Sequence, residues 1–349
     1  MEKLYNFDFR KLINRIDDPI TTRGRLFTGY LCNIDCKFCF YRGLEPKDIR
    51  TEIYKQIDIG KKLGITDWDI SGGEPTILPY WFELLDDLVK YGFKKIAVIT
   101  NGYKLSSKQF FQKSVEYGLN EVLFSLHGPT NEIHDGMTGI KGSFRKVMRG
   151  IDKALELGVL LRINTVVTKD NYRELPLIAE VVNKIKPHSF NFLPFRIENS
   201  AKPEGNVVDL SESIVYIKEA IDMLDKDIII NVRYVPFCLM HEYEKYVSMY
   251  IQRAFDKFDW TEYAIRILDC VRREIPIPLS KTWKDRFDLE MEAVYETIKD
   301  ICGYKFSCLK CRCFPICEGI WKNNHKIFGS EEYKPIEGEV VKDILFFRR

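Results

Sequence analysis

The chain has almost no excess charge of either sign. Its 349 residues carry 53 Lys and Arg against 51 Asp and Glu, a formal charge of +2. A broad nucleic-acid surface shows as a basic excess, so no nucleic-acid partner is expected. No apolar run reaches the roughly 18–20 residues of a membrane-spanning helix, so no membrane span is expected. The opening residues Met1-Glu2-Lys3-Leu4-Tyr5-Asn6 lack the apolar core of a secretory signal. The expected location is therefore cytoplasmic, where thiols stay reduced and clustered cysteines mean metal rather than disulfides. Low-complexity linkers and sequence repeats are missing too. Histidine is scarce, and His188, His241 and His325 show no ligand spacing; they read as surface or satisfied core residues. Cysteine is absent between Cys39 and Cys238, although the chain has ten.

What is present is a normal globular balance, 45% hydrophobic and 30% charged, which argues against disorder. The length suits one large barrel-type domain, alone or with a smaller appendage. Short runs rich in β-branched and aromatic residues predict strands at Arg25–Leu31, Asp67–Ser71, Lys95–Thr100, Glu121–Leu126, Leu160–Thr168, Ser189–Phe195 and Ile228–Phe237. Between them, helical spacing predicts Pro46–Leu63, Tyr80–Tyr91, Ser106–Tyr117, Ser143–Leu157, Tyr172–Lys186 and Ser211–Leu224. Ser106 and Ser143 stand where N-caps belong, and Gly64, Gly92, Gly118 and Gly158 where helices stop. Such alternation reads as parallel α/β, an open partial (βα)6 TIM-type barrel. Past residue 238 the texture turns aromatic, charged and mainly helical, so the boundary is placed there: 1–237 for the barrel and 238–349 for an extension. The apolar run Ile344-Leu345-Phe346-Phe347 is expected to pack onto the body.

The first thiol group is Cys32-Asn33-Ile34-Asp35-Cys36-Lys37-Phe38-Cys39, directly after a predicted strand. Three thiolates on one loop can ligate three irons of a 4Fe–4S cluster and leave the fourth iron open. An open position is what a catalytic metal needs. The bland alternative is a zinc site or redox thiols. A second run, Ser71-Gly72-Gly73-Glu74-Pro75-Thr76, closes the second predicted strand. Its glycines allow close backbone approach to a ligand, and its carboxylate can accept from an ammonium.

The cysteine spacing, with Phe38 before the third thiol, and the Gly-Gly-Glu-Pro turn together resemble the radical S-adenosylmethionine (SAM) superfamily. That resemblance implies a 4Fe–4S cluster on Cys32, Cys36 and Cys39 that binds SAM and cleaves it reductively. The product is a 5′-deoxyadenosyl radical that abstracts a substrate hydrogen. It implies an external electron donor of flavodoxin or ferredoxin type, and SAM contacts from Phe38, Gly72, Gly73, Glu74 and Pro75. Weaker candidates lie at later strand ends: Thr100 and Asn101, Ser125, Asn164, and Leu193 through its backbone. Ser125-Leu126-His127-Gly128 is similar to a family run in which Asp stands at the place of His127. His134-Asp135, followed by Gly139, Gly142, Ser143 and Phe144, also resembles a family segment near the substrate mouth, and alternatively reads as a surface loop with a helix cap.

The second thiol group is Cys302, Cys308, Cys311, Cys313 and Cys317. The spacing of Cys308, Cys311 and Cys317, with Glu318-Gly319 following, resembles SPASM and twitch extensions, which carry auxiliary iron–sulfur clusters. A full SPASM domain has seven cysteines and an upstream hairpin, whereas residues 285–301 read here as helix, so one auxiliary 4Fe–4S cluster is expected. Its ligands are expected to be Cys308, Cys311 and Cys317 with Cys238, and Cys302 and Cys313 are alternatives. Cys308 and Cys311 also suit a zinc half-site. Cys270 reads as a lone buried apolar residue.

The resemblance implies an enzyme, with oxidation or epimerisation of a small molecule (a sugar, nucleotide or other metabolite) assisted by the auxiliary cluster. A peptide- or protein-modifying maturase is the alternative. The 24 residues ahead of the first predicted strand leave no room for a fused peptide-recognition domain, which favours the small molecule. A third class is a non-catalytic zinc or iron–sulfur binding protein. The aromatics of 234–263 suit a substrate channel or ordinary helix packing.

Overall fold

The computed structural model describes residues 3–14, 18–196, 206–262, 267, 271–272 and 283–349; Cys270 lies outside them. Eight parallel strands follow one another in sequence order in a single curled, unclosed sheet. They are β1 (Arg23–Phe27), β2 (Asp67–Ser71), β3 (Lys95–Thr100), β4 (Glu121–Ser125), β5 (Leu160–Val167), β6 (Ser189–Pro194), β7 (Ile229–Arg233) and β8 (Val247–Ser248). The partial barrel expected from the sequence is thus present. The two-residue β8 adds a strand where only helical texture was legible.

Helices α1 (Arg50–Lys62), α2 (Trp81–Lys90), α3 (Lys108–Glu116), α4 (Asn131–Thr138), α5 (Ser143–Glu156), α6 (Leu175–Ile185) and α7 (Leu210–Met223) cover the sheet. Apolar faces such as Leu84, Leu85 and Leu88 of α2 and Val147, Ile151 and Ala154 of α5 are buried against it. Parallel strands covered this way are buried on both faces.

Two expected caps are corrected. Ser107, not Ser106, caps α3, its side chain accepting from Phe110 N. Ser143 is the first helical residue of α5 rather than its cap. That helix start is capped from α4, because Asp135 accepts from Gly142 N, from Ser143 Oγ (2.8 Å) and from Phe144 N (2.8 Å).

The floor of the barrel is ionic. Arg23 of β1 pairs with Asp69 of β2 (2.6 Å) and Glu121 of β4 (2.8 Å), and Arg162 of β5 pairs with the same two carboxylates. All four are buried. Two cations facing two anions form a neutral plug, the arrangement that makes buried charge tolerable. Above it, Asn164, Asn191 and Asn231 stand in register on β5, β6 and β7, with Asn191 Nδ2 donating to Asn164 Oδ1 (2.6 Å) and Asn231 Nδ2 to Asn191 Oδ1 (2.9 Å). Arg348 reaches in from the chain's last residues and closes the ladder on Asn231 Oδ1 (2.7 Å). Ile344 is buried and Phe347 meets Phe237, so the apolar tail does pack on the body.

Beyond the barrel, Cys302–Gly303 and Ile320–Trp321 form a two-stranded antiparallel pair, and the helix Trp283–Ile298 precedes it as expected. The first residues join this region: Tyr5 and Tyr304 exchange backbone hydrogen bonds at 2.8 Å, and Phe7 packs on Tyr304 and Phe314. Among the described residues no helix is long and apolar enough to cross a membrane.

Candidate functional site

The C-terminal ends of the strands open into a cavity of about 720 Å³, within the size range of small-molecule sites. Cys32, Cys36 and Cys39 line it, with Phe38, Gly72, Gly73, Glu74, Thr100, Asn101, Ser125 and Leu193. Those sequence candidates therefore share one space. Pro75 is buried outside the lining, opening a short 3-10 turn. Asn164 also lies outside it, its Oδ1 taken by the asparagine ladder.

The thiol loop is held from three sides. From the sheet, Gly73 N donates to Gly29 O and Glu74 N to Leu31 O, both at 2.7 Å. From β3, Asn101 Nδ2 donates to Asn33 Oδ1 (2.9 Å). From α4, the terminal carbonyls of Thr138 and Met137 accept from Asp35 N (3.2 Å) and Lys37 N (2.9 Å). Asn206 Nδ2 adds a bond to Lys37 O (2.9 Å). The role expected for the two glycines changes accordingly. A Cβ on Gly73 would lie 2.1 Å from Leu31 O, and one on Gly72, whose φ is +151°, would lie 2.6 Å from Gly29 O. These glycines admit the chain's own backbone, the segment that delivers Cys32.

Glu74, expected as an acceptor, is already engaged within the protein. Its Oε1 accepts from Thr76 N, Thr76 Oγ1 and Thr100 Oγ1 (2.7 Å), and its Oε2 from Asn101 N (2.8 Å). Burial pushes this carboxyl up while the four hydrogen bonds oppose that push. It braces the ends of β2 and β3 together.

Sequence reasoning named His127 and His134 separately and missed their pairing. His134 sits buried inside α4 and lines the cavity, rather than standing in a surface loop. Its Nδ1 accepts from His127 N (3.1 Å), and His127 Nδ1 accepts from Val166 N (3.1 Å). Burial lowers both, His134 to about 4. An accepting Nδ1 on a neutral ring places the proton on Nε2. His127 lies edge-on to Phe38 (4.6 Å between centroids) and lines the cavity, so it fixes the ring that precedes Cys39.

Desolvation by the surrounding loop raises all three thiols, Cys32 to about 11 although its surface is exposed, and for Cys36 the charges of Cys39 and Cys32 add to it. Thiols so placed ionise only against a positive centre, which suits iron ligation. A second hollow is walled by Cys238, Cys308, Cys311, Cys313 and Cys317, with Phe237, Phe314 and Tyr333. Cys302 lies outside it, in the two-stranded pair. Ile336 N points at Cys311 Sγ (3.4 Å) and Gly319 N at Cys317 Sγ (3.5 Å), contacts that stabilise sulfur carrying negative charge. Cys313 donates to Cys311, which draws Cys311 down and Cys313 up. Among the described residues no group of three His, Cys, Asp or Glu is set to hold a single metal ion. Both donor sets are thiols spread around a hollow, which fits cluster ligation at each place.

Residues 26–182 match the Radical SAM superfamily. Among curated proteins, the probable GTP 3′,8-cyclase of Saccharolobus islandicus (strain M.14.25 / Kamchatka #1) is 28% identical over 217 residues, 60% of this chain and 68% of that one. The probable GTP 3′,8-cyclase of Sulfurisphaera tokodaii is 31% identical over 159 residues, 43% of this chain and 49% of that one. Among solved structures, Streptococcus suis SuiB bound to precursor peptide SuiA superposes with a TM-score of 0.55 at 18% identity, covering 91% of this chain and 75% of that chain. The FeFe-hydrogenase maturase HydG from Carboxydothermus hydrogenoformans gives 0.52 at 12% identity, covering 84% and 80%. At such identities the two structures speak for the fold.

Proposed function

The chain carries a radical SAM domain over residues 26–182 and is a radical SAM enzyme, and from that premise we propose that its strand-end cavity holds both SAM and a small-molecule substrate. The observation that carries this reading is the convergence of the three-thiol loop, the Gly72-Gly73-Glu74 turn and the ends of β3, β4 and β6 on one cavity of about 720 Å³. Cys32, Cys36 and Cys39 hold a 4Fe–4S cluster, and with SAM bound this cluster supplies the radical chemistry that removes a hydrogen atom from substrate. The residues around it orient and shield. Glu74 locks the turn and Asn101 against each other, and Phe38 and His127 wall the thiol loop on one side. The reaction class proposed is oxidation or epimerisation of a sugar, nucleotide or other metabolite, and the curated relatives' names, which print GTP, support a nucleotide as substrate. Cys238, Cys308, Cys311 and Cys317 hold one auxiliary cluster in the extension, 238–349, with Cys313 as a hydrogen-bond donor to Cys311.

Anaerobic reconstitution tests this. Iron and sulfide are expected in two clusters, with 5′-deoxyadenosine released after dithionite reduction. Changing Cys32, Cys36 and Cys39 to Ala should abolish that release and remove about four irons per chain while the auxiliary iron stays. Zinc without sulfide, or release surviving in the triple variant, would overturn the reading.

A further inference from the structure

A second part of the cavity lining has a chemistry of its own. Arg25, Arg196 and Arg253 line it together with Tyr234, Tyr250 and Trp260. The cations and rings form one continuous chain. Arg25 lies over Trp260 (6.0 Å), Arg253 over Trp260 (5.5 Å) and Tyr250 (4.8 Å), and Arg196 over Tyr250 (5.4 Å) and Tyr234 (4.6 Å). Tyr250 and Tyr234 accept hydrogen bonds from Arg196 (2.5 Å) and Arg253 (2.6 Å).

The charges do not balance. Arg253 is paired with Glu262 and has Asp259 nearby at 3.8 Å. Arg25 and Arg196 have no carboxylate partner among the described residues; their side-chain bonds go to Tyr41 and Tyr250. Glu318 is within electrostatic reach of Arg196 but makes no ion pair with it, and its Oε1 accepts from Ile251 N (2.7 Å). Three polar atoms are buried here without a hydrogen-bond partner, Arg25 Nε, Arg253 Nε and Trp260 Nε1. Arg25 and Arg196 are half-buried, and an unpaired guanidinium so placed is disfavoured, as is a buried N–H without an acceptor. Tyr234 is also held at a φ of +61°, in the left-handed region, where a residue with a side chain is strained.

We propose that this part of the cavity binds an oxyanion of the substrate, a phosphate or carboxylate, through Arg25 and Arg196, with Trp260 and Tyr234 packing against its neighbouring atoms. The inference rests on the reading of this cavity as the radical SAM site and names the substrate class within it. Guanidiniums stacked on rings keep their planar forks fixed, ready for paired hydrogen bonds to such a group. The anionic end lies on the side of the extension, and the reacting carbon is left toward Cys32, Cys36 and Cys39.

Calorimetric titration of the anaerobically reconstituted enzyme tests it, with inorganic pyrophosphate in one arm and malonate in the other. One-to-one binding of either anion is expected, and the tighter one assigns phosphate or carboxylate. Arg196→Gln and Arg25→Gln should each weaken binding about tenfold or more, and Arg196→Lys should recover part of it. Arg173→Gln on the surface should change nothing. Absence of binding by both anions, or equal binding by wild type and both Gln variants, overturns the inference; should one Gln variant fail to fold, the other decides. The two readings fail separately. Anion binding without any SAM cleavage sinks the radical SAM assignment of the cavity, whereas cleavage without anion binding sinks only this inference.

Discussion

Replacing Gly73 by Ala should displace the thiol loop, and the size of the effect follows from the packing. The new Cβ would sit 2.1 Å from Leu31 O, 2.6 Å from Leu31 C and 2.8 Å from Tyr30 C. All three are backbone atoms, so no side-chain rotation relieves the clash. The turn must move away from the end of β1, and that breaks the bonds from Gly73 N to Gly29 O and from Glu74 N to Leu31 O. Each such bond contributes about 1 kcal/mol net, and overpacking adds about 1–3 kcal/mol. The lower chain entropy of Ala in the unfolded state returns about 0.4–1 kcal/mol. The expected loss is therefore about 2–5 kcal/mol, a large share of a typical stability of about 5–15 kcal/mol. Because Leu31 delivers Cys32, iron content at the three-thiol site should fall as well. Anaerobic urea unfolding and iron analysis read the two effects. Gly136→Ala in α4, where a Cβ meets nothing within 4 Å, is the control and should be neutral or mildly stabilising. If Gly73→Ala unfolded with the wild type and kept its full iron, the claim that these glycines serve the chain's own backbone would be wrong.

Three further outcomes follow from the same structure. Asp69→Ala leaves Arg23 and Arg162 facing only Glu121 and should cost about 3–5 kcal/mol in urea unfolding; a loss below about 1 kcal/mol would show the ionic floor to be unimportant. Glu74→Gln sets an amide NH2 against converging donors from Thr76, Thr100 and Asn101. It should destabilise by about 1–3 kcal/mol and raise the KM for SAM, and unchanged values of both would refute the brace. His134 is held neutral with its folded value lowered to about 4. The unfolded state takes its proton first, below about 6.5, so stability should fall as pH drops from there toward 4, by on the order of 1 kcal/mol at pH 5.5 from this residue alone. A His134→Asn variant whose unfolding midpoint followed pH as steeply as the wild type would remove His134 from that account.

The legible parts of the fold were those with local causes. β2 and β3 came out residue for residue because short runs rich in β-branched and apolar residues end at flanking glycines, as suits strands buried nearly throughout. β1 was read too long, to Leu31, because residues 28–31 keep a strand-like composition while leaving the sheet to meet the Gly72-Gly73 turn. β7 was read to Phe237 but stops at Arg233, where Tyr234 turns into the left-handed region on a bond to Ser248 O. α4 was hidden because its eight residues include Gly136 and few apolar positions. Its role in gripping the thiol loop depends on carbonyls, which carry no residue-type signal.

The sequence by itself carried the radical SAM resemblance and the barrel, since thiol spacing, strand-end glycines and hydrophobic period are properties of neighbouring residues. It also separated two thiol groups by a long cysteine-free stretch. Only the tertiary structure decided which distant residues share a space. It drew Cys238 to Cys308, Cys311 and Cys317, moved Asn164 from the cavity into a ladder closed by Arg348, and engaged Glu74 within the protein. It also set Arg25 and Arg196 against one cavity from opposite ends of the barrel sequence. The physical reason is that a charge's partners, or their absence, are fixed by distances through space, and strand order converts far-apart positions into neighbours.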